Sequence, residues 1–310
     1  MGIVITAART ALPLPDETAA SSVRLASRAA GDCLVDAGLS PDAVGVLINT
    51  GVYRESNTFE PALAALVQKE VGMNLDYLAA PMPVAGFSCD LMNGACGVLN
   101  AVQVAQALLV TGSTDRVLVT AADVHPGGRA ADDPAYPYAD LGAALLLERG
   151  TEPGTGFGPV SLRATDDGDS SAGTRGYLET AGMGAEGRGR ITVEREPEAV
   201  RVERLVALAA DTVSDYARAE GLGLDRTLVV CTPVGPHFAD RLAWRLGLDP
   251  RSVWAPGAPG TAGGEPLTAA PVIGYLSAME RGLPPGKDQL LLVAAGSGPS
   301  VACVSYRSQG

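Results

Sequence analysis

Phe87 to Ala101 read FSCDLMNGACGVLNA: a short lead-in, a Gly-Ala-Cys-Gly turn and the first residues of an apolar helix. A strand running into Gly94–Gly97, followed by GVLNAVQVAQALLVTG, puts Cys96 near a helix N-terminus. Unpaired backbone N–H groups and the helix dipole favour a thiolate there. The flanking glycines would let a substrate or another backbone come close. Cysteine is equally one of the most buried residue types. The local pattern therefore admits two readings of Cys96, a nucleophile or a small core residue.

Working outward, helix and strand signals alternate on both sides of this stretch. SSVRLASRAAGDCLVDAGLS has helical apolar spacing and stops at Gly38, and AVGVLINTG reads as a buried strand. After the central helix come RVLVTAAD and GAALLLER, two further strands. The second half repeats the order: a helix over AVRVERLVALAADTVSDYARAEGL, a strand at RTLVVCTPV, helices at FADRLAWRLGL and PVIGYLSAMERG, then strands at QLLLVAAGSG and SVACVSYR. Such alternation implies α/β layers with largely buried strands. The shared order suggests an internal duplication, divided in the Gly/Pro-rich connection RGTEPGTGFGP. Two halves are expected, residues 1–155 with the cysteine stretch and residues 156–310.

Composition narrows the function. With 310 residues, 46% of them hydrophobic and only 5% aromatic, the core must be filled mainly by Ala, Val and Leu. A net charge of −12 argues against nucleic-acid binding, which needs a basic face. No apolar run is long enough for a membrane span, and MGIVITAART lacks the pattern of a signal peptide, so a cytoplasmic protein is expected. Five scattered cysteines and two histidines disfavour structural zinc or a disulfide framework, and neither metal nor cofactor is expected. RGRITVEREPEAVR, Arg188 to Arg201, reads as a solvated loop leading into a charged helix start.

Histidine chemistry must use His125 or His237. His237 lies in VVCTPVGPHFADRLAWRLGL, where a strand ends, prolines shape a turn and a helix opens; His125, in AADVHPGG, has a similar setting. Either could face a cleft, and either could be an ordinary loop histidine. Two glycine-rich stretches, GAPGTAGGEPLTAAP and AAGSGPS, could aim N–H groups at an oxyanion or simply make tight turns. Neither has phosphate-loop spacing.

Taken in order, these elements resemble the ketoacyl-ACP synthase III branch of the thiolase-fold condensing enzymes. SCDLMNGACGVLNAVQVAQALLVTGSTDRVLVTAAD is similar to that family's nucleophile strand, helix and next strand. YPYADLGAALLLER is similar to its FGDGAGAAVLE strand, PHFADRLAWRLGL to its PHQAN histidine motif, and VAAGSGPSVACVSYR to its C-terminal glycine turn and last strand. The resemblance covers most of the chain. It implies two duplicated βαβαβ-type halves in a five-layered αβαβα fold. It also implies dimers formed through the sheet beside the nucleophile, and an acyl-CoA or acyl-carrier-protein thioester as donor. The family's cysteine takes the acyl group, its histidine and asparagine assist the second half-reaction, and backbone N–H groups hold the oxyanion.

Carried across, the histidine falls on His237 and the glycine turn on Gly296, Ser297 and Gly298. The pattern FDLxxACSGF laid on CDLMNGACGV keeps Asp90, Leu91 and Gly97 in register, so the nucleophile position falls on Ala95 and Cys96 is one residue late. On a helix that is a rotation of about 100°, which an irregular helix start could undo. The asparagine position becomes Gly264 or Glu265, and Glu265 could orient His237 in a Cys-His-acid set. The tryptophan and arginine that help hold CoA early in the family have no counterpart in ARTALPLPDETAASS; both tryptophans, Trp244 and Trp254, come late. The expected function is an acyltransferase or condensing enzyme of fatty-acid-like, polyketide or other specialised metabolism, using Cys96, His237 and Glu265. The alternative is a catalytically silent homologue serving as a structural or specificity subunit of a heterodimer. A third reading uses His237 and Glu265 without a covalent intermediate.

Overall fold

The structure, a computed structural model, describes residues 2–309 except 18, 56–60, 75–85, 128, 166–173, 179–190, 261–263, 297 and 299; of 174–178 and 191–195 it describes the backbone alone. Its first sheet is built from β1 (Ile3–Ala11), β2 (Val46–Asn49), β3 (Phe87–Asp90), β4 (Arg116–Asp123) and β5 (Leu141–Arg149), in the order β1-β5-β4-β2-β3. Three helices belong to this part: α1 (Ser22–Asp36), α2 (Leu63–Val71) and α3 (Gly97–Val110). The second sheet holds β6 (Gly156–Phe157), β7 (Ser161–Ala164), β10 (Thr227–Cys231), β11 (Val253–Trp254), β12 (Gln289–Ala295) and β13 (Ser300–Arg307). Its order is β11-β10-β12-β13, with β6 and β7 both against β13. A separate hairpin pairs β8 (Thr174–Leu178) with β9 (Ile191–Arg195), and α4 (Glu198–Glu220), α5 (Phe238–Leu246) and α6 (Ala270–Arg281) complete the chain.

The two sheets repeat one topology. β2 lies parallel to β3 and β4, as β10 lies parallel to β11 and β12. β5 then runs antiparallel between β4 and β1, as β13 runs antiparallel between β12 and β6/β7. β2 and β4 are buried on both faces, which is why they read as unbroken apolar runs.

Side-chain alternation sorts the core into layers. Along β4, Val117, Val119 and Ala121 face the space between the sheets, while Leu118 and Ala122 face α1 and α2. Along β12, Leu290, Leu292 and Ala294 face that same central space, and Leu291, Val293 and Ala295 face α4 and α5. α3 and α6 fill the centre with small and branched residues such as Ala101, Val102, Ala105, Val272 and Ala278. The result is the expected αβαβα stack. Gly142 shows how tightly it is set: a Cβ there would come within 2.6 Å of the Leu25 backbone, so α1 rests directly on β5.

Helix ends follow the sequence signals. Ser21 caps α1 by accepting from the Arg24 N–H, and α4 and α5 stop at Gly221 and Gly247, both left-handed. Among the described residues no helix is long and apolar enough to cross a membrane. Nor does any group of three or more His, Cys, Asp or Glu come together there as a metal site would require.

Candidate active site

β3 delivers Asp90 to a turn, and Gly94–Cys96 then form one turn of 3-10 helix before α3 begins at Gly97. This is the irregular helix start the sequence left open. Its three-residue repeat turns successive side chains by about 120°, and the outcome separates the two candidates. Ala95 borders a small cleft whose walls include Arg201, Thr232, Glu265, Leu267 and Gly296. Cys96 is fully buried and turned the other way, into the central layer. Its Sγ–H lies 3.4 Å from the Ala294 carbonyl and 3.8 Å from the Ser300 carbonyl, on β12 and β13. Burial pushes the Cys96 thiol up to about 11, the Ser300 hydroxyl and the Ala302 backbone pulling weakly the other way. At neutral pH only about 1 in 10,000 such thiols is ionised.

The cleft itself is narrow, about 10 Å³, room for about one water molecule. Thr232 forms its wall at the end of β10, with its Oγ1 accepting from the Ala295 N–H at 2.9 Å and donating to the Ala295 carbonyl. Glu265 is held by its backbone, its N–H donating to Pro137 O at 2.8 Å and its carbonyl accepting from the Ala139 N–H at 3.0 Å. Its Oε1 accepts from Nη2 of Arg201 at 3.2 Å. The Arg201 side chain is only 3% exposed.

His237 is elsewhere. The turn Thr232–Pro236 carries it past the cleft to the N-cap of α5, where it sits in the left-handed region at φ 59°. Its side chain is 79% exposed, with Nδ1 3.5 Å from Asp240 Oδ2. Cys96, His237 and Glu265 thus occupy three separate environments: the interlayer core, the surface and the cleft. Two backbone N–H groups considered as oxyanion donors are engaged as well. The Gly296 N–H donates to Ser300 O at 2.9 Å and the Cys96 N–H to Asn93 O at 3.0 Å, while Gly298 lies in the turn between β12 and β13. Ser297 falls outside the described residues.

His125 is a structural histidine. Its Nδ1 accepts from the Gly127 N–H at 3.0 Å, its Nε2 meets Asp133 Oδ2 at 3.0 Å, and its ring packs edge-on to Tyr136. The hydrogen bond from His125 holds the Asp133 carboxyl below the usual range.

Two residues that shape this region went unrecognised in the sequence. Arg201 was expected in a solvated helix start, but Arg201, Leu205, Leu208 and Thr212 share one buried face of α4. An arginine in apolar register was the available signal. Asp123, at the end of β4, is a buried carboxylate. Its Oδ1 accepts from the N–H groups of Val52 and Tyr53, each at 2.9 Å, and its Oδ2 from the Thr268 N–H and hydroxyl. It ties β2 and β4 to the segment that carries Glu265.

These environments predict the order of thiol reactivity. Burial raises Cys33, Cys231 and Cys303 to about 12, and only Cys89, on β3, is partly exposed. Brief iodoacetamide treatment at pH 8 is expected to label Cys89 alone among the five, and all five after unfolding. Labelling of Cys96 in the folded protein at a rate near that of Cys89, read by peptide mapping, would contradict the burial described here.

No protein-family model matches the chain. A curated relative, beta-ketoacyl-[acyl-carrier-protein] synthase III of Cereibacter sphaeroides, is 33% identical over 173 residues, covering 51% of this chain and 50% of the relative. The match therefore spans about half the length of that relative. Among solved structures, 3-oxoacyl-(acyl carrier protein) synthase III of Pseudomonas aeruginosa superimposes with a TM-score of 0.77 at 17% identity, over 100% of this chain and 99% of the other. The priming beta-ketosynthase of a polyketide biosynthetic pathway also gives 0.77 at 17% identity, over 99% and 96%. The chain has the thiolase fold, and over about half its length its sequence is similar to ketoacyl-ACP synthase III proteins.

Proposed function

We propose that this chain is a synthase III-like subunit that has given up cysteine thioester chemistry and works as the partner of an active condensing enzyme, helping to shape that enzyme's cavity. One observation carries the reading: at the position facing the cleft stands Ala95, while the neighbouring thiol of Cys96 is buried and protonated. The surface position of His237 and the engaged N–H groups of Cys96 and Gly296 agree with it. The acyl-CoA or acyl-carrier thioester then belongs to the partner's site, in fatty-acid-like, polyketide or other specialised metabolism. The two halves of the subunit are taken as residues 1–155 and 156–310.

The seam we propose is β3. Its only strand neighbour among the described residues is β2, and Phe87 and Met92 beside its open edge are 50% and 54% exposed. An uncovered edge strand with apolar neighbours readily pairs with another chain. Strand addition there would place the partner's sheet next to the turn that holds Ala95.

Intact-mass spectrometry after incubation with a panel of acyl-CoA and acyl-carrier thioesters tests the chemistry. No acyl adduct is expected on the wild-type chain. An adduct that disappears in Cys96→Ala would overturn this reading and restore an acyltransferase that reacts through Cys96. Native mass spectrometry of this chain mixed with an active synthase III-like homologue tests the assembly, with a heterodimer expected and Phe87→Lys weakening it.

A further inference from the structure

We propose that Arg201 and Glu265 form a plug that occupies the cleft at Ala95 and closes it to acyl groups. The inference rests on the silent-subunit reading and adds how the vacated site is filled. α4 inserts Arg201 from its first turn, on the same buried face as Leu205 and Leu208. The guanidinium reaches Glu265 Oε1 at 3.2 Å, and the Glu265 backbone is fixed against Pro137 and Ala139. The pair thus spans from the outer helix layer to the segment that Asp123 ties to the first sheet. Between it, Ala95, Thr232 and Gly296 only about 10 Å³ remains, which holds a water but no acyl carbon chain.

Stability alone does not account for such a pair. Arg201 is buried although the Glu265 side chain is 25% exposed, and burying a charge in a bridge costs desolvation that its attraction only partly offsets. What the pair supplies is a filler that an acyl group cannot share. An entering chain would have to part Arg201 from Glu265 and leave a guanidinium that is 3% exposed short of a partner, a large penalty for a weakly polar ligand.

Ala95→Cys turns the cleft wall into a reporter. Alkylation of the introduced thiol by iodoacetamide, followed by peptide mapping, reads access to the cleft. In the Ala95→Cys chain labelling is expected to be at least about tenfold slower than in Ala95→Cys with Arg201→Ala and Glu265→Ala, because access in the first requires local opening. Equal rates in the two chains would overturn the plug. Should the triple variant lose its native circular dichroism, Ala95→Cys with Glu265→Gln serves instead. That isosteric change breaks the ion pair, and a rate about threefold higher is expected; an unchanged rate would again overturn the proposal. The silent-subunit reading stands or falls separately, on acyl adducts at Cys96 in the wild-type chain.

Discussion

Asp123→Ala is expected to lower stability by about 3–5 kcal/mol, a drop in melting temperature of about 5–8 °C for a chain of this size. The carboxylate is buried and accepts from three backbone N–H groups and one hydroxyl, those of Val52, Tyr53 and Thr268. Alanine removes every acceptor at once. Each orphaned buried donor costs about 1–3 kcal/mol, partly recovered where water enters the space left behind. Asp123→Asn separates acceptor loss from cavity formation. Its carbonyl can keep the Val52 and Tyr53 bonds, but its NH2 would meet the Thr268 N–H, so a smaller cost of about 1–3 kcal/mol is expected. Burial raises the Asp123 carboxyl, with the Thr268 hydroxyl bond chief among the effects opposing it. Calorimetry or urea unfolding of both variants is the measurement. A cost below about 1 kcal/mol for Asp123→Ala would mean that the network is not what holds the 265–268 segment.

Local periodicity explains most of what was legible before the structure. α1, α3, α4, β4, β12 and β13 announce themselves because each keeps one helical face or an unbroken apolar run, and the repeated order gave the duplication. β1 was passed over, although Ile3–Ala11 is largely buried. It follows no turn signal, and its pairing with β5 is wholly non-local. β11, only Val253–Trp254 long, carries too little pattern to be seen.

The candidate site was less legible, for geometric reasons. Ala95 and Cys96 point about 120° apart in one 3-10 turn, so only one of them meets the cleft, and Gly94 and the packing of Gly97 on Thr50 help to set which. Composition does not record that choice. His237 lies in a motif that resembles PHQAN but stands at the surface, since the turn from Thr232 ends beyond the cleft. Thr232, which no motif marked, lines the wall instead. The sequence singled out the Gly94–Gly97 turn and the Glu265 and Gly296 loops, and the structure sets these around one cleft. Which side chain points inward was decided by backbone steps of one to five residues.

Gly264→Asn, which would return an asparagine to one of its two aligned positions, is expected to destabilise the protein by about 3 kcal/mol and to bring no activity with it. Gly264 has φ +103°, a conformation L side chains rarely adopt. A Cβ there would stand 2.7 Å from the Tyr138 carbonyl carbon, 2.9 Å from the Ala139 nitrogen and 3.0 Å from the Pro137 oxygen, all backbone atoms. Nothing flexible can give way. Relief requires the 137–139 segment to separate from Glu265, breaking the two backbone hydrogen bonds that fix it. The same holds in the background of Ala95→Cys and Thr232→His, where a thiol and an imidazole would line the cleft. Thermal unfolding gives the stability cost, and acyl-adduct mass spectrometry gives the activity. If Gly264→Asn were tolerated at less than about 1 kcal/mol, the backbone contact would be softer than drawn and a return to thioester chemistry would be a matter of side chains alone. With the contact as it stands, the main chain at 137–139 leaves position 264 to glycine, and no asparagine can return there.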